Sequence, residues 1–435
     1  MTIAGRFEVR AILVLGLAFS CYVAEATLRR GLVGAAGPTD FSVNSHGAKA
    51  DGKSGAGAGG GKPGAGSEFN VNSYGAKADG KTNNVQAFMK AWVAACKSGG
   101  GSARLVFPKG IYVTGPVVFA GPCAASNITV EVQGTIKATT DISEYTEPEW
   151  ISFESISGLT LTGGIFDGRG ETVWKYNDCD QNSDCQLLPS SLKFTKLTNT
   201  VVYGITSLNS KSFHMHVYNC QDFKAHDLTL TAPSDSPNTD GIHISSSSLL
   251  NVSNSKIGTG DDCISIGPGV TNLGITNIIC GPGHGISVGS LGKYQGEKDV
   301  SGVTVRNCTL RSTTNGVRIK TYSGSPPSKA SSITFQDIIM DMVKNPIIID
   351  QKYGSRSSAA SRVQISDVHY KNIVGTSTTD VAVSLLCSAQ VPCDVELVGI
   401  DLKFQGSSNK GKSISSSCLN AKVKTGGKLN PPACR

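Results

Sequence analysis

The sequence predicts an all-β fold, a single-stranded parallel β-helix, and a repeat is the first observation that supports it. Three short segments follow one another at a fixed interval of 22 residues, since 262 − 240 and 284 − 262 both equal 22. They are Asp240-Gly-Ile-His-Ile, Asp262-Cys-Ile-Ser-Ile and His284-Gly-Ile-Ser-Val. In a stacked solenoid, residues one repeat apart lie directly above one another. The interval therefore predicts a column of two aspartates and a histidine.

The second observation is the strand chemistry of each copy. Each segment is about five residues long, rich in Ile and Val, and bounded by Gly, Asn, Asp or Ser. Alternate positions are apolar, which predicts one buried face and one outward face. The predicted buried positions are Ile242, Ile244, Ile264, Ile266, Ile286, Val288, Val317, Ile319, Ile347 and Ile349, and the predicted outward ones are His243, Ser265, Ser287, Arg318 and Lys320.

Two later copies support the same coil. Asn315-Gly-Val-Arg-Ile-Lys and Asn345-Pro-Ile-Ile-Ile-Asp follow at intervals of 31 and 30 residues, from 315 − 284 and 345 − 315. The excess of nine, 31 − 22, predicts an inserted loop around residues 292–298. Short strands at this period favour a parallel β-helix over a sandwich. The Leu/Asn consensus of leucine-rich repeats is missing, and so is the alternation of strands with long helices that is typical of a Rossmann fold.

Composition agrees with that architecture. The chain has 51 Gly and only 6% aromatic and 17% charged residues, which suits many tight turns and little helix. At 435 residues it exceeds a usual single core, but a solenoid grows by adding turns, so one folded domain is expected.

The N-terminal residues are predicted to lie outside the fold. Arg6 and Arg10 precede an apolar run too short to cross a bilayer, and Ala24-Glu-Ala26 offers a cleavage site, so 1–26 is predicted as a secretory signal peptide. Residues 27–68 contain a motif at 41–53 that recurs at 69–81. The Gly/Ala-rich stretch between the two copies is typical of a flexible linker. Residues 69–435 are predicted to form the β-helix domain, and no membrane partner is expected.

A short helix is predicted to cap the N-terminal end of the coil. Its apolar residues recur at helical spacing, and Thr82 or Asn83 is the candidate N-cap. The predicted stripe is Val85, Phe88, Met89, Trp92 and Cys96.

Cysteine usage predicts disulfides and an extracellular location. Loss of the signal peptide would remove Cys21 and leave twelve of the 13 cysteines, an even number. Sequons at Asn127, Asn251 and Asn307 fit secretion. The paired CxxC spacing of zinc sites is missing, and no metal is expected. The candidate bridges are Cys179/Cys185, Cys263/Cys280, Cys387/Cys393 and Cys418/Cys434.

The clustered acids predict a catalytic site. Asp261 adds a third carboxylate beside Asp262, and Arg318 and Lys320 follow one turn beyond His284. A single Asp is more often a turn residue, but the shared register favours catalysis. Three crowded carboxyls cannot all ionise easily, so one pKa is expected to rise. Acids flanked by a basic pair indicate cleavage of an acidic substrate.

Four motifs carry a resemblance to a known family. Asn238-Thr-Asp240, Gly260-Asp261-Asp262, Gly283-His284-Gly285 and Arg318-Ile-Lys320, in that order and with Tyr353 downstream, resemble the signature motifs of polygalacturonases, family-28 glycoside hydrolases. The resemblance covers roughly Phe69 to the C-terminus, and the segment at 174–189 is most similar to plant pollen exopolygalacturonases. It implies a right-handed parallel β-helix, hydrolysis of α-1,4-linked galacturonate with inversion, and no cofactor.

The resemblance also implies roles for the site residues. Asp261 would be the acid, and Asp240 and Asp262 would hold the water. The residues alone leave Asp261 and Asp262 interchangeable. His284 would tune a carboxylate or hold substrate, and Asn238 and Tyr353 would contact substrate. Arg318 and Lys320 would pair with a sugar carboxylate. Inversion requires carboxyls about 6.5–9.5 Å apart, which a diagonal between coil turns about 4.8 Å apart can supply.

Alternatives remain on the sequence alone. A net charge of +7 suits a polyanionic partner, and pectin in a plant cell wall is favoured over nucleic acid because aromatics are few and no dense Lys/Arg run occurs. The protein is expected to be a monomeric, secreted polygalacturonase. It is expected to be exo-acting if the loops at 174–189 and 292–298 close one end of the cleft. An endo-acting enzyme, a β-helical pectate lyase and a catalytically silent wall-binding protein are the competing hypotheses.

Overall fold

The computed structural model of the protein describes residues 67–99, 101–177, 187–354, 358–406 and 413–434. The predicted signal peptide, the first copy of the duplicated motif, most of the predicted linker and the Cys179/Cys185 pair lie outside the described residues. The first described strand begins at Ser67, two residues before the predicted start of the domain. No helix in the described ranges has both the length and the apolar character needed to cross a membrane.

The N-terminal turns of the coil consist of short strands. In chain order they are β1 (Ser67–Asn70), β2 (Asp79–Asn83), β3 (Ser102–Phe107), β4 (Ile111–Thr114), β5 (Val117–Ala120), β6 (Asn127–Val132), β7 (Thr135–Ala138), β8 (Glu149–Glu154), β9 (Leu159–Thr162), β10 (Ile165–Asp167), β11 (Ser190–Thr195), β12 (Thr198–Tyr203), β13 (Thr206–Leu208), β14 (Met215–Tyr218), β15 (Gln221–His226), β16 (Thr229–Thr231) and β17 (Ile242–Ser245).

The C-terminal turns contain longer strands that bend around a corner of the coil. They are β18 (Ser248–Gly258), β19 (Ile264–Ile266), β20 (Thr271–Cys280), β21 (Ile286–Leu291), β22 (Val300–Arg311), β23 (Asn315–Tyr322), β24 (Ser328–Val343), β25 (Asn345–Tyr353), β26 (Val363–Ser377), β27 (Val381–Leu386), β28 (Cys393–Phe404), β29 (Ser415–Leu419) and β30 (Ala421–Asn430). One α-helix, α1 (Val85–Lys97), and short 3₁₀ turns at Val71–Tyr74, Ile142–Glu144, Gly170–Thr172 and Trp174–Tyr176 complete the described elements.

The strands form two parallel sheets, and the predicted right-handed parallel β-helix is confirmed. One sheet, here called the cleft sheet, runs in the order β5-β8-β11-β14-β17-β19-β21-β23-β25-β27-β29. Its register matches the sequence repeat, because Ile242 pairs with Ile264, Ile264 with Ile286, and Ile286 with Val317. The ten positions that the alternation predicted to be buried are each at most 1% exposed. The hydrophobic period therefore set the register of the cleft sheet.

The interior of the coil changes in character along its length. A row of aromatic rings fills the N-terminal part, with successive centroids 5.0, 5.3, 5.5 and 5.2 Å apart. Beyond β15, the inward positions of the cleft sheet are mainly Ile, Val and Leu. Such an interior gives a rigid support on which outward side chains can be positioned. The row consists of Trp92, Phe119, Phe153, Phe194 and Phe223.

The predicted capping helix is confirmed as α1, although its start differs. Its N-cap is Asn84, whose side chain makes no capping bond, whereas Asn83 accepts a hydrogen bond from the Val85 N–H at 3.2 Å. The side chain of Asn84 instead bonds to Lys77, Thr82 and Val113, so tertiary contacts override the local capping preference. Phe88, Trp92 and Cys96 are buried as predicted, while Val85 and Met89 are only partly buried. The alanines at 87, 91 and 95 complete the buried face.

Left-handed residues mark the corners of the coil. Non-glycine residues with φ near +50° are mostly Asn and Asp, which adopt this conformation at the lowest steric cost. Three of them form a ladder on the outer surface: Asn277 donates to Asn254 at 2.9 Å, and Asn307 donates to Asn277 at 2.6 Å. The abundance of Asn therefore has a structural cause, and the sequon at Asn307 lies within this ladder.

Three of the four candidate disulfides are confirmed. The described bridges include Cys263–Cys280, Cys387–Cys393 and Cys418–Cys434. A further bridge, Cys96–Cys123, ties helix α1 to the turn after β5 and was missed because 27 residues separate its cysteines. Pairing of all twelve remaining cysteines is not found, because Cys220 and Cys308 are free and buried.

Candidate active site

The predicted acid column occupies consecutive turns of the cleft sheet. Asp240 precedes β17, the pair Asp261 and Asp262 precedes β19, and His284 precedes β21. Backbone bonds stack these turns: the Gly241 N–H donates to the Asp262 carbonyl at 2.9 Å, and the His284 N–H donates to the Asp261 carbonyl at 2.8 Å. The spacing of 22 residues has brought the acids and the histidine together, as predicted.

Asp262 is the most heavily coordinated carboxylate of the site. Its Oδ1 accepts hydrogen bonds from Ser287 Oγ at 2.8 Å and from an Arg318 terminal nitrogen at 2.7 Å. Its Oδ2 accepts one from Lys320 Nζ at 2.9 Å. All three partners are donors, and only 1% of the side chain is exposed. Asp262 is therefore poorly placed to give a proton to a ligand, which favours Asp261 for that role.

Arg318 and Lys320 lie beside the acids, but both are bound to Asp262. Both side chains lie on the outward face, as alternation predicted, but they are only 11% and 9% exposed because they pack against Asp262. The Lys320 ammonium group also lies 5.0 Å from the ring centroid of Tyr353. The attraction between its charge and that of the buried Asp262 is the physical reason for the low exposure of Lys320. Contact of these cations with a sugar carboxylate stays a prediction.

Asp261 and His284 are the more exposed members of the cluster. Their side chains are 23% and 39% exposed, and His284 Nδ1 lies 3.0 Å from Asp261 Oδ1. Burial raises the pKa of Asp261, but the hydrogen bond and charge of His284, together with Lys320, outweigh it and leave that pKa below its usual value. His284 thus helps to lower the pKa of Asp261, while its role in catalysis or substrate binding stays a prediction.

Asp240 has the opposite electrostatic environment. Burial, followed by the negative charges of Asp261 and Asp262, raises its pKa well above the usual value. A hydrogen bond with Ser265 and the charge of Lys320 oppose this shift only in part. The prediction that one acid of the crowded set would have a raised pKa is confirmed in direction. In the free protein, Asp240 is the carboxyl that retains a proton most readily.

A cation fits this cluster poorly. One ligand atom from each of Asp261, Asp262 and His284 lies within 4.8 Å of the other two, which is close enough to contact one ion. However, Arg318 and Lys320 already occupy both oxygens of Asp262 and add two positive charges. This arrangement suits a bound anion or a neutral sugar better than a metal.

Asn238 lies at the edge of the site, where it fixes a second segment. It adopts a left-handed conformation with φ 52°, and its Oδ1 accepts a hydrogen bond from Asn177 Nδ2 at 2.9 Å. The Asn238 carbonyl accepts one from Ser212 Oγ at 3.4 Å. Asn238 is therefore a contact between the acid-bearing turn and the described residues 170–177, which we call the wall segment.

Two further contacts hold the wall segment in place. The Gly170 N–H donates to the Asn209 carbonyl at 2.7 Å, and Trp174 Nε1 donates to the Ser210 carbonyl at 3.0 Å. The wall segment follows β10 and contacts the turn between β13 and β14, so these contacts lie on the N-terminal side of the acid column. The predicted insertion at 174–189 is thus anchored beside Asp240 by its described part.

The second predicted loop is confirmed in position. Strand β21 ends at Leu291 and β22 begins at Val300. Between them Glu297 accepts hydrogen bonds from the Gly292 N–H at 2.6 Å and the Tyr294 N–H at 2.8 Å, which closes a tight turn. The Tyr294 side chain is exposed.

Sequence reasoning missed several groups that share the outward face with the acids. Ser265 and Ser287 were predicted to point outward but were given no role. Ser287 donates to Asp262, and Ser265 Oγ lies 2.8 Å from His243 Nδ1. Phe213 was not singled out, although its ring stacks on His243 with centroids 4.9 Å apart. His216 pairs in register with His243 and was also overlooked. The alternation in β14 was the signal that could have identified it.

Comparison with known proteins places the chain in a family. Residues 96–426 match the model of glycosyl hydrolases family 28. An exopolygalacturonase of Arabidopsis thaliana is 47% identical over 443 residues, covering 99% of this chain and 97% of that protein. An exopolygalacturonase of Platanus acerifolia is 48% identical over 352 residues, covering 80% of this chain and 92% of that protein.

Solved structures agree on the fold. An endo-xylogalacturonan hydrolase from Aspergillus tubingensis superposes with a TM-score of 0.71 at 24% identity, covering 83% of this chain and all of that one. An exopolygalacturonase from Thermotoga maritima superposes with a TM-score of 0.67 at 20% identity, covering 77% of this chain and 86% of that one. The ordered acid motifs, their stacking on one sheet and the extent of these matches lead to one conclusion: the chain belongs to the glycosyl hydrolases of family 28.

Proposed function

We propose that this protein is an exo-acting polygalacturonase that hydrolyses the α-1,4 linkages of polygalacturonate from a chain end, with inversion. The observation that carries the proposal is the stacked acid cluster, in which Asp240 has a raised pKa while Asp261 has a lowered one. Environments that separate the pKa values of neighbouring carboxyls are typical of acid–base catalysis. The complete acid set also opposes a catalytically silent binding protein.

One shared proton accounts for both halves of the reaction. Asp261, the most exposed of the three carboxyls, gives its proton to the glycosidic oxygen as the bond from that oxygen to the sugar carbon breaks. Asp240 and Asp262 orient a water molecule that attacks the same carbon from the opposite face, and Asp240 accepts the proton that this water loses. In the resting protein this shared proton is on Asp240, whose pKa is raised, and it passes to Asp261 before the glycosidic bond breaks. The proton that Asp240 then takes from water restores the resting state. The raised pKa of Asp240 supports its role as the acceptor.

The basic residues support an acidic sugar as substrate. Arg318 and Lys320 lie two turns beyond Asp261 and Asp262 on the cleft sheet, and Tyr353 lies three turns beyond them. Arg318 Nε donates to Ser287, and one of its terminal nitrogens bonds to Asp262, which leaves guanidinium donor capacity for a galacturonate carboxylate. A net charge of +7 further favours an anionic polymer.

The position of the wall segment supports cleavage at a chain end. Asn177 donates to Asn238 and Trp174 donates to the Ser210 carbonyl, on the opposite side of the acids from the basic pair. A barrier there would allow a terminal sugar, but not a continuing polymer, to occupy that end of the cleft. The named exopolygalacturonases among the relatives support the same mode.

We also propose secretion to the plant cell wall as a monomer after removal of residues 1–26. The four described disulfides suit an oxidising compartment. The apolar run and small-residue cleavage site near the N-terminus support export.

The test is incubation of the purified protein with de-esterified polygalacturonate in the presence of a chelator, with products separated by size. Early release of monogalacturonate with slow loss of viscosity is expected. A ladder of oligomers with rapid viscosity loss would support the endo-acting alternative, and no cleavage at all would refute the proposed activity. Unsaturated products would indicate a lyase.

A further inference from the structure

Three aromatic side chains form an unassigned surface on the N-terminal side of the acids. We call Phe213, His216 and His243 the ring platform. The Phe213 ring stacks on His243 at 4.9 Å and meets His216 edge-on at 5.8 Å, and the two imidazoles lie 5.2 Å apart. All three side chains are partly exposed, although most neighbouring residues in β14 and β17 are buried.

The ring platform is continuous with the catalytic cluster. His216 pairs in register with His243, and His243 pairs with Ser265 on the next strand. His243 Nδ1 lies 2.8 Å from Ser265 Oγ, and the Ser265 side chain is close enough to Asp240 to oppose the rise in the pKa of that carboxyl. The platform therefore occupies the outward face of the cleft sheet immediately before the acids. Arg318 and Lys320 lie on the other side of the acids along the same sheet.

His216 has unused hydrogen-bonding capacity. It makes ring contacts with Phe213, Tyr218 and His243, but its nitrogens bond to nothing in the part of the chain that the structure describes. Burial, then the charges of His243 and Lys193, lowers the pKa of His216 to about 3. Burial, then Lys320, lowers the pKa of His243 to about 4. Both imidazoles are therefore neutral at mildly acidic pH, and a neutral imidazole offers one donor and one acceptor.

We infer that the ring platform is a binding subsite for the terminal galacturonate ring, with Phe213 packing against its apolar face and His216 hydrogen-bonding its hydroxyl groups. Two features support these roles for Phe213 and His216. Neutral donor and acceptor nitrogens suit hydroxyl groups, whereas the cations on the other side of the acids suit a carboxylate. The wall segment is anchored beside the platform through the Ser210 and Asn238 contacts, so it borders the subsite on the N-terminal side.

This inference rests on the proposed function, and a matched pair of histidine substitutions tests it. His216→Ala removes the platform nitrogens, whereas His226→Ala removes a histidine that stacks on Tyr203, 5.3 Å away, on the other sheet. KM and kcat are measured on trigalacturonate. His216→Ala is expected to raise KM by about tenfold, the scale of one lost hydrogen bond with its packing, and to change kcat less. His226→Ala is expected to match the wild type.

A second variant and a binding measurement keep the test decisive. If His216→Ala does not fold, His216→Phe retains the ring and removes the nitrogens, and the same direction is expected. Calorimetric titration of digalacturonate into the Asp261→Asn protein, with and without the His216 substitution, measures binding without turnover. A KM and a Kd within twofold of the control would overturn the subsite. Failure of the wild type to release galacturonate would instead count against the proposed function.

Discussion

At the scale of single residues, the site separates three chemically identical carboxyls by their neighbours. Asp262 is surrounded by Arg318, Lys320 and Ser287, and Asp261 is paired with His284. Asp240 is buried next to the negative charges of Asp261 and Asp262, and both effects raise its pKa. This geometry favours Asp261 over Asp262 as the acid, because Asp261 is the more exposed and its Oδ2 accepts no hydrogen bond within the described residues. Sequence could place the acids together but could not determine which of them the cations would bind.

Removing the carboxyl of Asp261 should abolish the acid half of the reaction. Asp261→Asn preserves the side-chain shape, so the fold should persist while kcat falls by about 10²- to 10⁴-fold, the scale of general acid catalysis. Asp235→Asn is a suitable control because Asp235 is exposed and lies nearby on the same chain segment. Steady-state kinetics on polygalacturonate, with circular dichroism to verify folding, measure the effect. A kcat near that of the control would remove Asp261 from the acid role.

Arg318 is expected to affect both binding and turnover, because it also holds Asp262. Arg318→Ala should raise KM through loss of a charged hydrogen bond, on the order of 1.5–3 kcal/mol, and should lower kcat because Asp262 loses one donor. Arg311→Ala is the matched control, since Arg311 is 67% exposed and pairs with Asp341 on the outer surface. The measurement is the separate determination of kcat and KM. Unchanged values in both variants would reduce Arg318 to a structural role.

At the scale of elements, the repeat predicted the register of the cleft sheet correctly, because residues one repeat apart in sequence pair in the sheet and the alternate apolar positions are buried. The positions of Ile264 and Ile286, the turn after Leu291 and helix α1 all follow from local pattern. The exact N-cap and the Cys96–Cys123 bridge did not, because each depends on contacts between residues distant in sequence. The ring platform was missed for a related reason: β14 lies before the repeated motifs, and only its pairing with β17 shows that it shares their face.

The wall segment should control cleavage mode through its anchor at Trp174. Trp174→Ala removes the bond from Nε1 to the Ser210 carbonyl together with ring packing, so the end of the cleft should loosen. We expect oligomers to appear beside monogalacturonate at low conversion, whereas Trp174→Phe, which retains most of the ring, should show a smaller change. Separation of the early products by size distinguishes the Trp174→Ala variant from the Trp174→Phe variant. A product pattern identical to the wild type in both variants would show that this anchor does not set the mode.

At the scale of the whole molecule, carboxyls with opposite pKa shifts make stability depend on pH in opposite ways. The pKa of buried Asp240 is raised, so the native state resists losing that proton, and this costs stability as pH rises above about 3.8. The pKa of exposed Asp367 is lowered, first by its hydrogen bond to His369 and then by Ser332. That group adds stability at neutral pH, which is lost as pH falls through its lowered pKa. Crowding the acids at the site therefore lowers stability near neutral pH, whereas the Asp367–His369 pair acts in the opposite direction.

Two substitutions that remove a carboxylate charge should separate the contributions of Asp240 and Asp367 to stability. Asp240→Asn should abolish activity yet raise Tm above the wild type at pH 7, and the difference should shrink as pH falls toward 4, where both forms lack the charge. Asp367→Asn should lower Tm slightly at pH 7 and converge with the wild type in acid, because only the charged carboxylate gains from His369. Thermal melts of the three proteins from pH 4 to 7 supply the curves. Parallel curves for wild type and Asp240→Asn would mean that Asp240 does not hold the shared proton, and the acceptor of the proton from water would have to be Asp262 instead.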